Sequence, residues 1–265
     1  MAGFTRGALA AVTCAAAVAL VTAQQPPLGY TDTPMQPDGR WHVHDGTRPQ
    51  PPVVTPGPSA GMAAPPADAI VLLGPDADPS AWRRVGGGPV TWQVVDGVLE
   101  TGRGSIETKA SFGDVQLHVE FATPSQVRGD GQGRGNSGVY LAGNFEIQVL
   151  DSYNNPTYPD GQAAAMYGQF PPLVNVSRPP GEWQAYDITF RAPRFSGDRL
   201  ESPAVVTVLH NGVLVHHARP FWGPTAHRRI DPYTPGTARG PIRLQDHSNP
   251  VRYRNIWVRS LTPGS

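Results

Sequence analysis

The chain has 265 residues, 21 Lys+Arg balanced by 21 Asp+Glu, and 30 residues each of glycine and proline. A balanced charge offers no basic surface for phosphates, which argues against nucleic acid as a partner. Glycine and proline interrupt helices, so this composition favours short strands joined by many turns. Six Trp, eight Tyr and eight Phe indicate that the chain packs a core.

The first 23 residues have the pattern of a secretory signal peptide. Arg6 precedes an apolar stretch over residues 8–21, and residues 21–23 provide a cleavage site. We therefore expect an exported protein, periplasmic or extracellular. The single cysteine, Cys14, lies inside this stretch, so the mature chain is expected to contain no disulfide. No run of 18 apolar residues follows, and we expect no membrane span in the mature chain.

Residues 24–67 form a proline-rich segment. Each proline removes a backbone donor, so neither a helix nor a central strand fits this segment. Its bulky run Trp41-His42-Val43-His44 is absent from simple spacers, which favours an extended arm lying against the domain over a disordered linker. His42 and His44 are expected at the surface.

From residue 68 onward the hydrophobic pattern has the period of two that is typical of strands. In residues 114–121, for example, Val115 and Leu117 alternate with polar neighbours. Asp96-Gly97 and Asn211-Gly212 indicate tight hairpin turns. Strands are predicted within residues 69–73, 92–100, 114–121, 138–141, 145–150, 186–191, 204–209, 213–217, 241–244 and 251–261. This spacing predicts one all-β sandwich over residues 68–262.

Most of the chemically informative residues lie between positions 133 and 169. In the strand over 145–150, Glu146 and Gln148 face away from the apolar side chains because strand residues alternate. Asp151 has the wrong parity for that face unless a bulge re-aims it. Tyrosines at positions 140, 153, 158 and 167 lie between these polar residues. Rings with amides and carboxylates are the mixture that recognises sugars, although the same pattern also fits the solvated side of a strand.

A series of short motifs follows in fixed order along this domain. They are Arg134-Gly135-Asn136-Ser137-Gly138-Val139-Tyr140, residues 146–153, Asp160-Gly161-Gln162, Tyr167-Gly168-Gln169, and residues 171–175, 178–184, 240–247 and 252–256. Together they resemble the 3-keto-disaccharide hydrolase domain family from about residue 68 to 262, with a departure at residues 74–78. The resemblance implies a concanavalin A-like jelly-roll β-sandwich behind a Pro-rich extended N-terminal arm. It also implies action on glycosides already oxidised to a ketone at C3.

The chemistry implied by this resemblance needs few groups. A C3 carbonyl acidifies the C2 hydrogen, so a base can remove that proton while the C1 substituent leaves, and water then adds. Such a site needs a base, donors for the enolate oxygen and an acid for the leaving oxygen. Glu146 is the first candidate for the base and Asp151 the second, while His247 suits an acid, base or ligand. Gln148 and Arg254 are candidates for holding the oxygen that gains charge.

The other candidate residues would bind the substrate, an oligosaccharide or glycoside. They are Arg134, Asn136, Tyr140, Tyr167 and Gln245. Gln245 shares strand parity with His247, so the two side chains are expected on one face. No spacing identifies a metal and no cofactor is certain, although a divalent cation held by oxygens would suit enolate chemistry.

Two other functions stay open from the residues. Glu146-x-Gln148-x-x-Asp151 has the spacing of the catalytic strand in laminarinase-type retaining glycoside hydrolases, whose two carboxyl groups lie about 5–5.5 Å apart. The middle residue here is Gln and the last acid is shorter, so the match is incomplete. A non-catalytic carbohydrate-binding module would need the rings and amides but no base.

Overall fold

The computed structural model describes residues 28–58 and 63–261, together with Met1 and Gly3. Apart from Met1 and Gly3, the predicted signal peptide, including Cys14, therefore lies outside the described residues. Within the described ranges no helix has the length and apolar character needed to cross a membrane.

Short strands make up nearly all of the regular structure. The strands are β1 (Ile70–Leu73), β2 (Trp82–Arg84), β3 (Gln93–Val95), β4 (Val98–Glu100), β5 (Ile106–Thr108), β6 (Val115–Ala122), β7 (Ser137–Leu141), β8 (Phe145–Val149), β9 (Gln184–Arg191), β10 (Arg194–Ser196), β11 (Arg199–Ser202), β12 (Val205–His210), β13 (Val213–Pro220), β14 (Thr225–Ala226), β15 (Arg229–Ile230), β16 (Arg243–Leu244) and β17 (Arg252–Ser260). Short 3₁₀ helices span Gly131–Gly133, Pro159–Gly161 and Pro235–Thr237.

Two antiparallel sheets form the sandwich. The larger has the order β13-β12-β9-β6-β17-β4-β3, with β1 also paired to β17, and the smaller has the order β2-β5-β16-β7-β8. Side chains from both sheets meet between them, as where the ring centroids of Phe145 and Phe190 lie 5.5 Å apart. The fold is the all-β jelly-roll sandwich that the sequence predicts.

The alternation predicted for β6 is confirmed. Val115, Leu117 and Phe121 are buried in the core, where a fully buried large apolar side chain contributes about 1.5–3 kcal/mol. Their polar neighbours His118 and Glu120 are buried as well. They lie on the opposite face of the sheet, because strand residues alternate, and side chains of β17 cover them there.

The hairpin of β7 and β8 positions the candidate site. Ala142 and Gly143 turn the chain in the left-handed region, with φ of 47° and 72°, and the Asn144 side chain donates to the Ala142 carbonyl (2.8 Å). The apolar residues of β8 point into the core. Alternation therefore turns Glu146 to the other face of the smaller sheet.

Strand β8 lies at the edge of its sheet, and the following loop covers that edge. The backbone amide of Gln148 donates to the backbone carbonyl of Ala165 (2.9 Å), and the backbone amide of Ala164 donates to the backbone carbonyl of Gln148 (2.8 Å). These bonds satisfy backbone groups that an edge strand otherwise exposes. They also bring Tyr167, two residues further on, beside the polar face of β8.

Residues 28–58, the N-terminal segment, contain turns and isolated bridges and pack on the sandwich. Val53 forms a parallel bridge with Asn175. The Gln36 side chain donates to the carbonyls of residues 168 and 169, each at 3.0 Å. The expectation that His44 lies at the surface is wrong, because this side chain is fully buried (0% exposed).

Candidate active site

A cavity of about 300 Å³ opens on the polar face of β7 and β8. Its lining residues are Tyr30, Gln132, Asn136, Tyr140, Glu146, Gln148, Tyr158, Tyr167, Thr225, Ala226, His227, Gln245 and His247. The volume is at the small end of the range for ligand sites and suits a single sugar ring. The walls combine phenol rings, amides and imidazoles with one carboxyl group.

That carboxyl group belongs to Glu146, which is only 3% exposed. Burial raises the pKa of Glu146 to about 8, and a hydrogen bond from the Tyr140 hydroxyl opposes the rise only in part. A carboxyl group with a pKa near neutrality is suited to accept a proton from carbon or to return it.

A second hydrogen bond holds the Tyr140 hydroxyl group, which is the partner of this carboxyl group. The Gln245 side chain donates to the Tyr140 hydroxyl oxygen at 3.1 Å. Gln245 follows β16, which pairs with the strand that carries Tyr140, so the sheet itself places the two side chains together. Burial raises the pKa of Tyr140 far above its ordinary value, and the phenol therefore stays a donor toward Glu146.

An amide network lines another wall of the cavity. The Gln132 side-chain oxygen accepts from the Gln148 amide at 3.0 Å and from the Asn136 amide at 3.5 Å. The oxygen atoms Oδ1 of Asn136 and Oε1 of Gln148 are buried and have no hydrogen-bond partner among the described residues. Buried acceptors of this kind gain free energy when a ligand hydroxyl donates to them.

A chain of hydroxyl groups forms a further part of the wall. The Tyr158 and Tyr167 hydroxyl oxygens lie 3.2 Å apart, and the Tyr167 oxygen lies 3.1 Å from Nδ1 of His227. Burial raises the pKa of both tyrosines well above the ordinary value. Burial, aided by nearby positive groups, lowers the pKa of His227. The wall therefore presents neutral groups near pH 7.

The N-terminal segment supplies one side of the cavity. Tyr30 lines it, with its ring centroid 6.0 Å from that of Tyr158. The guanidinium carbon of Arg228 lies 4.3 Å from the Tyr30 centroid, and the same guanidinium group donates to both oxygens of Asp32 at 2.6 Å. A cation over a phenol ring and an ion pair made through Nη2 of Arg228 together hold the segment against the β14–β15 hairpin.

Asp151 and Arg134 lie together in a neighbouring groove of about 900 Å³. Nε of Arg134 donates to Oδ2 of Asp151 at 2.6 Å. Burial raises the pKa of Asp151 and the Arg134 guanidinium opposes that rise. Asp151 does not line the Glu146 cavity, so the two candidate acids face separate spaces. His247, which is exposed, lines both of them.

The structure does not bring Arg254 to the cavity. Arg254 lies on β17 of the larger sheet, directly opposite Glu120 in the strand register. Its Nε donates to Oε2 of Glu120 at 2.7 Å, and its guanidinium carbon lies 4.0 Å from the Trp183 ring centroid. Because β17 belongs to the larger sheet, Arg254 lies away from the cavity, which opens on the smaller sheet.

The described residues that line the cavity contain few charged metal ligands. Within residues 28–58 and 63–261, no group of three or more His, Cys, Asp or Glu side chains is placed to hold a metal ion. Among the described residues that line the cavity, Glu146 supplies the one carboxylate.

The structure thus gathers most of the predicted residues into one cavity. These are Asn136, Tyr140, Glu146, Gln148, Tyr167, Gln245 and His247. Sequence reasoning missed Tyr30, Gln132, Thr225 and His227 as site residues. The bulky run near Trp41 in the proline-rich segment was the signal that this segment packs on the domain, whereas nothing in the local pattern singles out His227.

A β-sandwich with a cavity lined by aromatic rings, amides and one buried carboxyl group indicates a protein whose function is related to carbohydrates. The model of the 3-keto-alpha-glucoside-1,2-lyase-like domain family matches residues 68–259. The chain belongs to this family, which confirms the resemblance carried by its motifs.

Solved structures agree with this assignment. A protein of Parabacteroides distasonis ATCC 8503, described as a candidate glycosyl hydrolase, is 44% identical, with 81% of this chain and 93% of that chain covered and a TM-score of 0.71. A second candidate glycosyl hydrolase from the same bacterium is 20% identical, with coverage of 70% and 90% and a TM-score of 0.51, and it shows the fold alone. No curated protein matches the chain. The family and the first relative support a carbohydrate-related function.

Proposed function

We propose that this protein cleaves the glycosidic bond of 3-keto-glycosides, with Glu146 as the general base. The observation that carries the proposal is the burial of one carboxyl group among sugar-binding side chains in a cavity the size of a sugar ring. Burying an ionisable group costs free energy. A reaction that transfers a proton needs such a carboxyl group, whereas a module that only binds sugar does not.

In the proposed reaction, Glu146 removes the C2 proton of the keto sugar. The C2–H electron pair forms the enolate with the C3 carbonyl. Expulsion of the C1 substituent then breaks the C1–O bond, and the leaving oxygen takes a proton. Water adds to C1 of the resulting enone while C2 regains a proton, so the net change is hydrolysis. The raised pKa of Glu146, about 8, matches the base to this step near neutral pH.

The neutral groups of the cavity then divide into donors and acceptors. His227 can donate to the oxygen that gains charge, because its Nδ1 faces the Tyr167 hydroxyl at 3.1 Å and its other ring nitrogen can carry the proton. Gln148 is proposed to accept a hydrogen bond from the substrate, whereas the sequence suggested that it would hold the oxygen that gains charge. Its amide nitrogen already donates to Gln132, and its unpartnered atom is an oxygen that accepts from a sugar hydroxyl.

His247 is the proposed acid for the leaving oxygen. It lines the cavity as well as the groove that contains Arg134 and Asp151. A leaving group that departs from the sugar in the cavity would pass into this groove. His247 therefore lies where the bond to be broken would cross from one space to the other, and histidine is the side chain that most often serves as a general acid.

The geometry does not favour a retaining glycoside hydrolase. That reaction needs two carboxyl groups on either side of one glycosidic bond in a shared site. Here Asp151 lies outside the Glu146 cavity and accepts the hydrogen bond of Arg134.

The test is turnover by the purified protein of a 3-keto-glucoside and of the same glucoside without the ketone. We expect release of the aglycone from the keto sugar alone, and loss of that release in Glu146→Gln, which keeps the shape of the side chain. Cleavage of the unoxidised sugar would instead support a retaining hydrolase. Tight binding of either sugar without turnover would support a binding module.

We also propose that the enzyme acts outside the cytoplasm, on the evidence of the signal-peptide pattern in residues 1–23. Mass spectrometry of protein released from the periplasm or medium of an expressing bacterium should give a chain that begins at Gln24. An uncleaved chain found in the cytoplasm alone would contradict export.

A further inference from the structure

His44 of the N-terminal segment lies directly under the tyrosine wall of the cavity. Its ring centroid is 4.2 Å from that of Tyr158 and 4.7 Å from that of Tyr167. The side chain is fully buried, so it does not contact substrate. Rings at these separations fix one another by packing.

A carboxyl group of the 3₁₀ helix over Pro159–Gly161 fixes His44 from behind. Oδ2 of Asp160 accepts from the His44 backbone amide at 2.9 Å, and Oδ1 lies 3.2 Å from Nδ1 of the ring. Gln36, also in the N-terminal segment, donates to Oδ2 at 3.2 Å. Asp160 is 1% exposed, so this carboxyl group is available to its protein partners alone.

The backbone of His44 has a φ of 60°, in the left-handed region, where histidine occurs more often than most other side chains. Nε2 of His44 has no hydrogen-bond partner among the described residues. Packing therefore connects the imidazole ring to the tyrosines.

The two tyrosines transmit this constraint to the cavity. Their hydroxyl groups form the chain that ends at Nδ1 of His227, and the His44 and His227 ring centroids lie 5.5 Å apart. When Tyr167 donates to Nδ1, the proton of neutral His227 is at Nε2. The hydroxyl chain thus selects the tautomer and the orientation of a group that lines the cavity.

We propose that His44 is a positioning residue: held by Asp160, its ring fixes Tyr158 and Tyr167 so that their hydroxyl chain orients His227. The effect on catalysis rests on the function proposed above. The arrangement of the rings does not, and it can be measured without turnover.

The surroundings of His227 allow a specific readout. The hydroxyl of Tyr167 faces Nδ1, the edge of the Tyr30 ring approaches at 5.7 Å between centroids, and the Arg228 guanidinium and the His44 and His247 rings lie nearby. Burial and these groups lower the pKa of His227. Loss of the His44 ring would loosen the packing around His227 and reduce the burial that lowers its pKa, so this pKa should rise.

The experiment is a titration of the histidine rings by nuclear magnetic resonance in protein labelled with ¹⁵N-histidine. We expect the Nε2–H tautomer of His227 in the wild type. In His44→Asn, whose side chain tolerates the left-handed backbone, we expect mixed tautomers and a higher pKa of His227. His44→Phe keeps a ring and should retain more of the wild-type signal. Asp160→Asn, which leaves the ring and weakens its attachment, provides a second route to the same loss.

The matched control is His42→Asn, which removes an imidazole from the same segment outside the cavity and should leave His227 unchanged. In activity measurements, His44→Asn should lower kcat on the 3-keto-glucoside by about tenfold with little change in KM, as expected for misplacement of a reacting group. An unchanged His227 signal in folded His44→Asn and Asp160→Asn would overturn the proposal. Absence of turnover by the wild type would overturn the proposed function alone.

Discussion

A Cβ atom built on Gly138 would lie 2.2 Å from Oε1 of Glu146. The two residues occupy the paired strands β7 and β8, whose register places Gly138 opposite Gln148 and Tyr140 opposite Glu146. The glycine that closes the Asn136-Ser137-Gly138 sequence therefore leaves the space in which the buried carboxyl group lies.

This relationship predicts the effect of Gly138→Ala. The added methyl group should displace the Glu146 side chain and lower kcat/KM on a 3-keto-glucoside by tenfold or more, with a loss of about 1–3 kcal/mol in the free energy of unfolding. Gly133→Ala is the control, since a Cβ there meets no atom within 4 Å. Equal activities of the two variants would contradict the assigned role of Gly138.

Burial of Glu146 also predicts how stability depends on pH. Its pKa is about 8 in the folded protein against an ordinary 4.5, so the folded state binds more protons between these values. The stability linked to this group is present below about pH 4.5 and is lost as pH rises through about 8, at roughly 1.4 kcal/mol for each unit of pKa difference. Urea unfolding at pH 5 and pH 8 should show a steeper loss in the wild type than in Glu146→Gln. Parallel losses would show that Glu146 titrates normally.

The Arg134–Asp151 pair predicts a large effect on stability. Their side chains are 14% and 3% exposed, so Arg134→Ala leaves a buried carboxylate without its partner and should destabilise the fold by about 3–5 kcal/mol. The pKa of Asp151, already raised by burial, should rise further. Asp151→Asn on the Arg134→Ala background should recover part of the loss in urea unfolding. No recovery would mean that the pair is not coupled.

Tyr30 predicts that the N-terminal segment contributes to affinity. Its ring lines the cavity and lies under the Arg228 guanidinium group. Tyr30→Ala should raise KM several-fold, because it removes a wall and a cation–ring contact worth about 0.5–1 kcal/mol. Tyr30→Phe keeps the ring and should stay close to the wild type in the same assay. If both variants raise KM equally, the hydroxyl group rather than the ring is important.

Local patterns predicted much of the fold. Period-two alternation placed Phe145 and Ile147 in the core and Glu146 on the opposite face, because parity depends only on neighbours in the chain. The turns at Asp96-Gly97 and Asn211-Gly212 also formed, with positive φ at each of these positions. Such features are local, so the sequence alone specifies them.

Long-range pairing explains what the sequence did not predict. Arg254 was a candidate for the site, but β17 joins the larger sheet beside Glu120. His44 was expected at the surface because a proline-rich segment has no periodicity from which to predict burial. His227 entered the site through the β14–β15 hairpin, whose position depends on contacts such as the Thr225 amide donating to the Asn144 carbonyl at 2.9 Å.

The most direct measurement follows hydrogen exchange at C2 of a 3-keto-glucoside in D₂O by nuclear magnetic resonance, with wild-type protein and with Glu146→Gln. Deuterium should enter C2 with the wild type, faster as the pH rises through about 8, and exchange should fall to the uncatalysed rate with Glu146→Gln. Exchange that persists at the wild-type rate in Glu146→Gln would contradict the role of Glu146 as the base.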